Sequence, residues 1–510
     1  MPDQKPGRVL NRRQVLGMFG AGAAVGATLP APAQAAADLR SWDVQVDVLV
    51  VGSGAAGVSA AIEARSLRAS VLLLESLPRF GGASAMSGGV VYAGGGTALQ
   101  KALGVEDSVE AMYNFLAQAG GAHPALDKVQ VYCEESPAHF DWLVAQDIPF
   151  SEKFTGAKGL PMGDESLYFS GTELAWPARE LASPAPRGHV PGVPGMNGGR
   201  RLMEALLARA EFLGVELRAG IPARRLITES DGRVVGLVAG TEEETLNIKA
   251  RAGIVLAAGG FVHNPEMLRR HAPELADCAV PWGNIGDRGD AVNMGISVGA
   301  AALRMHQGFA IAPVYPPENV LAGILVNSSG QRLISEESYH GVLGEAIAYH
   351  QSGRAWLITD QRSAYAGLVD NVLPAVTANS IGDIAEQLSL PKGSLQHTVA
   401  YYNRFAAIGE DPMFRKSVKH LRPLQGPPYT AWDLSVKNAF FAAHTFGGLH
   451  TTVDGCVLNG YGDEIPGLYA AGRTSAGLPT APYLASGLSV GDCTFFGRRA
   501  GRAAVVGGCA

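Results

Sequence analysis

The sequence predicts an α/β fold in which a parallel-sheet domain is interrupted by an inserted α+β domain. Three observations predict it. The stretch "DVQVDVLVVGSGAAGVSAAIEARSLRASVLLLE", Asp43 to Glu75, holds two apolar runs, Val48–Val51 and Val71–Leu74, separated by a small-residue segment of helical length. That is the pattern of a β-α-β unit. Two later runs, "KARAGIVLAAGGF" (Lys249–Phe261) and "IPGLYAAG" (Ile465–Gly472), are buried strands that end on glycine. Between those runs, the span from Asp287 to Pro428 has helices of its own.

The first unit carries chemistry. Gly52, Gly54 and Gly57 form G-x-G-x-x-G between strand and helix, with Ser53, Ala55 and Ala56 filling the loop. The first glycine permits a tight turn, the second lets a pyrophosphate approach the backbone, and the third lets the helix pack on the strand. Glu75 closes the second strand, where an acid receives a ribose hydroxyl. Strand, loop, helix, strand and acid together define a Rossmann-like dinucleotide-binding unit. The loop "ESLPRFGGASAMSGG" follows at once, and Ser76, Gly82, Ala83, Ser84, Ser87, Gly88 and Gly89 can run along the pyrophosphate to a flavin ring. "GVELRAGIPARRLITESDGRVVGLVAG" reads as strands meeting in hairpins and supplies Ala223. Ala258, Gly259, Gly260 and Gly472, at the ends of the later strands, complete the expected cofactor contacts.

Length and composition bound the rest. At 510 residues the chain exceeds one ordinary core, so more than one domain is expected. A net charge of −6, without long runs of like charge, gives no footing for nucleic acid. Asn11-Arg12-Arg13-Gln14-Val15-Leu16 opens a Gly/Ala-rich apolar stretch that ends in "PAPAQA" at Ala35. Residues 1–35 are therefore read as a signal peptide of twin-arginine type, directing a folded, soluble mature chain to the periplasm. No other stretch suggests a membrane span. The five cysteines show no C-x-x-C spacing, and no metal site is expected.

These glycine-ended strands, scattered along the mature chain, resemble the FAD-binding domain (glutathione-reductase-type) of the fumarate reductase/succinate dehydrogenase flavoprotein family. The resemblance implies bound FAD, an FAD-binding domain at 44–286 and 429–510, and a substrate-binding cap at 287–428. "AAHTFGGLH" matches the family's His-Thr-x-Gly-Gly segment through His444, Thr445, Gly447 and Gly448. The resemblance implies that His444 and Gly447 contact the cofactor, with the Gly447–Gly448 backbone packed against the ring; His444 would hold loop or substrate there, or serve as a satisfied core histidine.

Dicarboxylate reductases of this family clamp their substrate with arginine, whose planar guanidinium takes a carboxylate bidentately. The position after the Arg332-x-x-x-Glu336 motif holds Tyr339 and His340, and the position ahead of the C-terminal helix holds Tyr483. The pattern resembles instead the 3-ketosteroid dehydrogenase branch. In its Δ1 enzymes a Tyr four residues before a Gly binds the ketone, as Tyr483 and Gly487 would. In its Δ4 enzymes a Tyr and a nearby Ser do so, as Tyr483 and Ser486 would. Both assignments stay open. Tyr339 would be the base, aided by His340 or the positive end of the site, and Tyr168 a third tyrosine. Backbone N–H groups near Gly487, Leu488 and Ser489 would face the flavin. The implied activity is introduction of a C=C next to a ketone in a small hydrophobic, steroid-like substrate, with an external electron acceptor. An enone or enoate reductase, and a non-catalytic flavoprotein, are the alternatives.

Replacing Arg12 and Arg13 together by Lys is expected to hold the FAD-loaded protein in the cytoplasm. Fractionation with a flavin assay measures this, and undiminished periplasmic protein would contradict it.

Overall fold

The structure, a computed structural model, describes residues 41–119, 124–241, 243–315, 317–365 and 372–508. The expected signal segment, residues 1–35, lies outside the described residues.

The chain begins with strand β1 (Val44–Val51), helix α1 (Ala55–Ser66) and strand β2 (Val71–Leu74). Helix α2 (Gly198–Phe212) leads into β3 (Glu216–Arg218), and then come β4 (Ala223–Thr228), β5 (Val234–Gly240) and β6 (Thr245–Leu256). β1 pairs in parallel with both β2 and β6, and β2 pairs in parallel with β3. β4 and β5 form an antiparallel hairpin that leans on the first half of β6. Val48–Val51 and Val71–Leu74 are buried, because α1 and α2 pack on one face of the sheet and the β4–β5 hairpin packs on the other.

Past β6 the chain builds a second layer. Strand β7 (Gly308–Ile311) and β8 (Ile324–Val326) precede helix α3 (His340–His350), β9 (Trp356–Thr359), β10 (Pro374–Ala378), helix α4 (Ser394–Ala406) and β11 (Tyr429–Asp433). These give an antiparallel sheet in the order β8-β9-β11-β10. Here the boundary drawn at 428/429 needs correction: Tyr429–Asp433 is an interior strand of this second sheet. The Pro427-Pro428 pair, which cannot donate to a ladder, marks the start of that strand and not a return to the first sheet. The chain returns through β12 (Ala442–Thr445), which pairs with β7, then β13 (Cys456–Leu458) and β14 (Glu464–Ala470). β14 joins the main sheet beside β6, in parallel.

Helix α5 (Leu488–Val506) closes the described chain. A Cβ added at Gly497 would lie 2.4 Å from the Ala56 carbonyl oxygen, and one at Gly501 would lie 2.2 Å from that of Ala60. Both distances are impossible for a real side chain, so the glycines are what lets α5 lie directly on α1.

The Arg332-x-x-x-Glu336 motif acts as a buried fastener. The Arg332 guanidinium donates to Glu336 (2.8 and 3.1 Å) and to Asp411 (2.8 and 3.0 Å), and it lies between the rings of Tyr402 and Phe414. Glu336 also meets the Lys416 ammonium at 2.9 Å and accepts the Leu325 N–H of β8 at 2.9 Å. Burial alone would raise the Glu336 carboxyl, but the charges of Arg332 and Lys416 outweigh it and hold the group at about 2. Removing one member of such a cluster strands the others without charge compensation. Arg332→Met is therefore expected to lower stability by about 3–5 kcal/mol in urea titrations at pH 7. The depressed carboxyl stabilises fully above its unfolded value of 4.5 and progressively less as pH falls toward about 2. In the same titrations the variant's deficit should shrink at pH 3, and a deficit that grows on acidification would contradict the assignment.

Candidate active site

The three glycines of the first loop separate into three roles. Gly52 has φ +102°, and a Cβ there would meet the Ala257 carbonyl oxygen at 2.4 Å. A Cβ on Gly57 would meet the Gly52 carbonyl oxygen at 1.9 Å, so this glycine seats α1 against β1. At Gly54 the nearest neighbour is the Ser84 hydroxyl at 3.6 Å, which leaves the backbone open to the cleft. Ser84 accepts the Ala55 N–H at 3.0 Å. Glu75 accepts the Ser53 N–H (3.1 Å) and hydroxyl (2.6 Å), and the Leu77 N–H (2.9 Å). That carboxylate therefore fixes the loop as well as edging the cleft.

Of the expected cofactor residues, Gly52–Ala56, Glu75, Ser76, Gly82–Ser84, Ala223, Ala258, Gly259 and Gly472 line one cleft. Ser87, Gly88, Gly89, His444, Gly487 and Ser489 line a second cavity, of ≈ 490 Å³. The loop from Gly82 to Gly89 thus edges both spaces. Four expected positions pack instead, Gly57 against Gly52 among them. Gly260 lies against Thr445, Gly447 against the Met305 backbone, and the Leu488 side chain is buried with Phe495 and Phe496.

All six expected catalytic residues, Tyr168, Tyr339, His340, Tyr483, Ser486 and Gly487, line the second cavity. Gly487 has φ +99° and is the residue from which α5 starts. Its left-handed turn brings the preceding tyrosine back over the helix end, and the Tyr483 phenol oxygen accepts the Ser489 N–H at 2.9 Å. The Ser489 N–H expected to face the flavin is therefore taken by Tyr483, because a helix start has N–H groups in need of acceptors. Burial raises the Tyr483 phenol and the Ser489 contact draws it back, to about 12. Ser486 is held through its backbone by Ser170: its N–H donates to the Ser170 carbonyl and its carbonyl accepts the Ser170 hydroxyl, both at 2.9 Å. Its hydroxyl moderates the rise that burial gives the Tyr168 and Tyr339 phenols.

Phe309 stands among these rings, 4.7 Å from Tyr483, 5.0 Å from His444 and 6.4 Å from Tyr339 between centroids. Burial, reinforced by the neighbouring phenols Tyr483 and Tyr168, pushes Tyr339 well above its ordinary value. The sequence offers His340, or the positive end of the site, as help for Tyr339. Burial lowers His340 to about 4, against the pull of the Ala312 carbonyl at 3.2 Å, so the ring is neutral near pH 7. No arginine lines the cavity among the described residues.

Sequence reasoning also missed residues. Arg473 pairs with Asp287 at 2.6 Å and lines the cofactor cleft, and its Nη1 is buried without a partner among the described residues. It stands one residue past Gly472, and the ion pair spans the whole inserted segment, so only the strand-end turn could have pointed to it. Lys158, Tyr315 and Phe309, in the cavity wall, follow no motif.

A dinucleotide fits these surfaces. The Gly54 backbone is open, and among the described residues Arg473 Nη1 and His444 Nε2 lack partners at the cleft and the cavity, as does the Ser489 hydroxyl. The chain belongs to the FAD binding domain family, matched over residues 47–488, and within it to the 3-ketosteroid dehydrogenase-like branch of the fumarate reductase/succinate dehydrogenase flavoproteins. It is an FAD-dependent oxidoreductase. The chain is 40% identical to a solved 3-ketosteroid Δ4-(5α)-dehydrogenase from Rhodococcus jostii in complex with 4-androstene-3,17-dione. That match covers 92% of this chain and 98% of that one, with a TM-score of 0.86. It is 30% identical to 3-oxo-5-alpha-steroid 4-dehydrogenase of Comamonas testosteroni, over 86% of this chain and 94% of that protein. It is also 30% identical to urocanate reductase of Eggerthella lenta, over 89% of this chain and 74% of that protein.

Arg473→Met is expected to weaken FAD retention roughly tenfold or more, the size of a lost charge-assisted hydrogen bond. The flavin-to-protein absorbance ratio after dialysis reads this, and full retention would contradict the role.

Proposed function

We propose that the protein is a 3-ketosteroid dehydrogenase that introduces a C=C next to the ketone, at the Δ4 position. The observation that carries this reading is the convergence of Tyr483, Ser486 and Tyr339 in a cavity without arginine among the described residues. The 40% identity to the Rhodococcus enzyme supports Δ4 over Δ1.

The Tyr483 phenol oxygen already accepts the Ser489 N–H, so its own proton is left to donate to a ketone. With its pKa at about 12 the phenol stays protonated near neutral pH, as a donor must. The N–H behind it polarises the phenol, which as one donor stabilises a developing enolate by about 3 kcal/mol. The Ser486 hydroxyl, set by Ser170, is a second donor in reach of the same oxygen. Tyr339 takes the proton from the α-carbon. Bound FAD supplies the acceptor for the hydride that leaves the β-carbon. Phe309 and the tyrosine rings exclude water from the reacting carbons. His340, being neutral, orients the wall through Ala312 and gives Tyr339 no charge. As a phenol raised by burial, Tyr339 has a base form that becomes more abundant as pH rises.

The likeness to urocanate reductase favours a second reading, reduction of an enone or enoate. Anaerobic mixing separates the two directions. A saturated 3-ketosteroid bleaches oxidised flavin under the first reading, and an enone reoxidises reduced flavin under the second. We propose further that residues 287–428, together with β11, act as a cap over the cavity, and that the Arg12-Arg13 segment exports the folded enzyme. The physiological electron acceptor is an external one.

Tyr339→Phe is expected to slow flavin reduction by roughly 10²-fold or more, the contribution of a positioned base, with steroid still binding. In the parent the rate should rise about tenfold per pH unit below the phenol pKa, and this slope should vanish in the variant. Tyr483→Phe should cost on the order of 10²-fold with weaker ketone affinity. Rates within a few-fold of the parent for both variants in stopped-flow measurements would refute these roles.

A further inference from the structure

Lys158 is the only lysine or arginine in the cavity wall among the described residues, and the chemistry proposed above makes no use of it. Its ammonium donates to the Glu337 carbonyl oxygen and lies 4.9 Å from the centroid of the Tyr315 ring. Tyr315 stacks on His340 at 3.9 Å, and His340 follows Tyr339 in the chain. Two aromatic rings therefore stand between this ammonium and the first of the two reacting tyrosines. No carboxylate pairs with it within 4 Å among the described residues. The nearest candidate, Glu337, is already committed to the Ser417 N–H (2.8 Å), the Ser417 hydroxyl and His420 (2.5 Å). Burial lowers Lys158 to about 8, with Glu337 pulling the other way, so the group is still largely cationic at pH 7.

A half-buried ammonium whose one hydrogen-bond acceptor is a carbonyl is costly unless something in the cavity compensates it. A neutral diketone offers it only a weak acceptor, whereas a carboxylate offers a charge-assisted hydrogen bond. We propose that Lys158 selects a substrate bearing a carboxylate at the end remote from the reacting ketone, that is, an acidic 3-oxo steroid. The proposal rests on the 3-ketosteroid reading and names the substrate class within it.

The test uses FAD-loaded enzyme and two probes, 3-oxo-5α-cholan-24-oic acid and its methyl ester, which differ by one negative charge. Flavin difference spectra give Kd for each. The acid should bind about tenfold or more tightly than the ester, the size of one charge-assisted hydrogen bond. Lys158→Met should abolish that ratio and Lys158→Arg should keep it, with flavin content showing that both variants are loaded. Equal binding of acid and ester by the parent, or a preference that survives in Lys158→Met, overturns the proposal. Flavin bleaching is read separately in the same cuvettes. Tight binding of the acid without bleaching would count against the dehydrogenase reading, while the binding ratio would still decide the role of Lys158.

Discussion

Helix α5 lying on helix α1 is the contact on which both ligand spaces depend. Gly497 meets Ala56 and Gly501 meets Ala60, four residues on in each helix, so the two helices run in the same direction. Their N-termini therefore face the same end. That of α1 opens the cofactor cleft through Gly54 and Ala55, and that of α5 opens the cavity through Gly487 and Ser489. Each N-terminus carries partial positive charge. The Arg498–Glu63 and Arg502–Glu63 ion pairs, at 2.9 and 3.1 Å, hold the far ends of the same crossing. A residue larger than glycine at 497 or 501 would force the helices apart and move both N-termini from their ligands.

The tyrosines divide the acid–base work through their surroundings. Tyr483 and Tyr339 are both buried, and burial raises any phenol by disfavouring its charged form. Only Tyr483 touches a helix N–H, and it is the less raised of the two. It is thus a polarised donor at every ordinary pH. Tyr339 has phenol neighbours, so its reactive form is scarce and pH-dependent. Two chemically identical side chains, with rings 6.1 Å apart, acquire opposite duties from one backbone N–H.

Short-range patterns were legible in the sequence. The β-α-β unit, the jobs of Gly52, Gly54 and Gly57, and the meeting of Tyr168, Tyr339, Tyr483 and Ser486 all follow from local spacing or from the family resemblance. Long-range constraints were not. Arg473 depends on Asp287, which lies at the other end of the inserted segment. Lys158 and Phe309 belong to no periodic pattern and reach the cavity only through tertiary packing. His340 stands beside Tyr339 in sequence, but its burial, which keeps it neutral, is not written in a pair of adjacent letters. The boundary at 428 failed similarly, since a Pro-Pro pair marks a break without saying which sheet the next strand joins.

The central claim is that the Tyr483 phenol, backed by the Ser489 N–H, donates to the substrate ketone. Infrared difference spectroscopy of a 3-ketosteroid labelled with ¹³C at C3, bound to the oxidised holoenzyme, measures the polarisation of that carbonyl. The C=O stretch should fall to lower frequency on binding and return most of the way in Tyr483→Phe. An unshifted stretch in the parent enzyme, or the same shift in both proteins, would contradict the account.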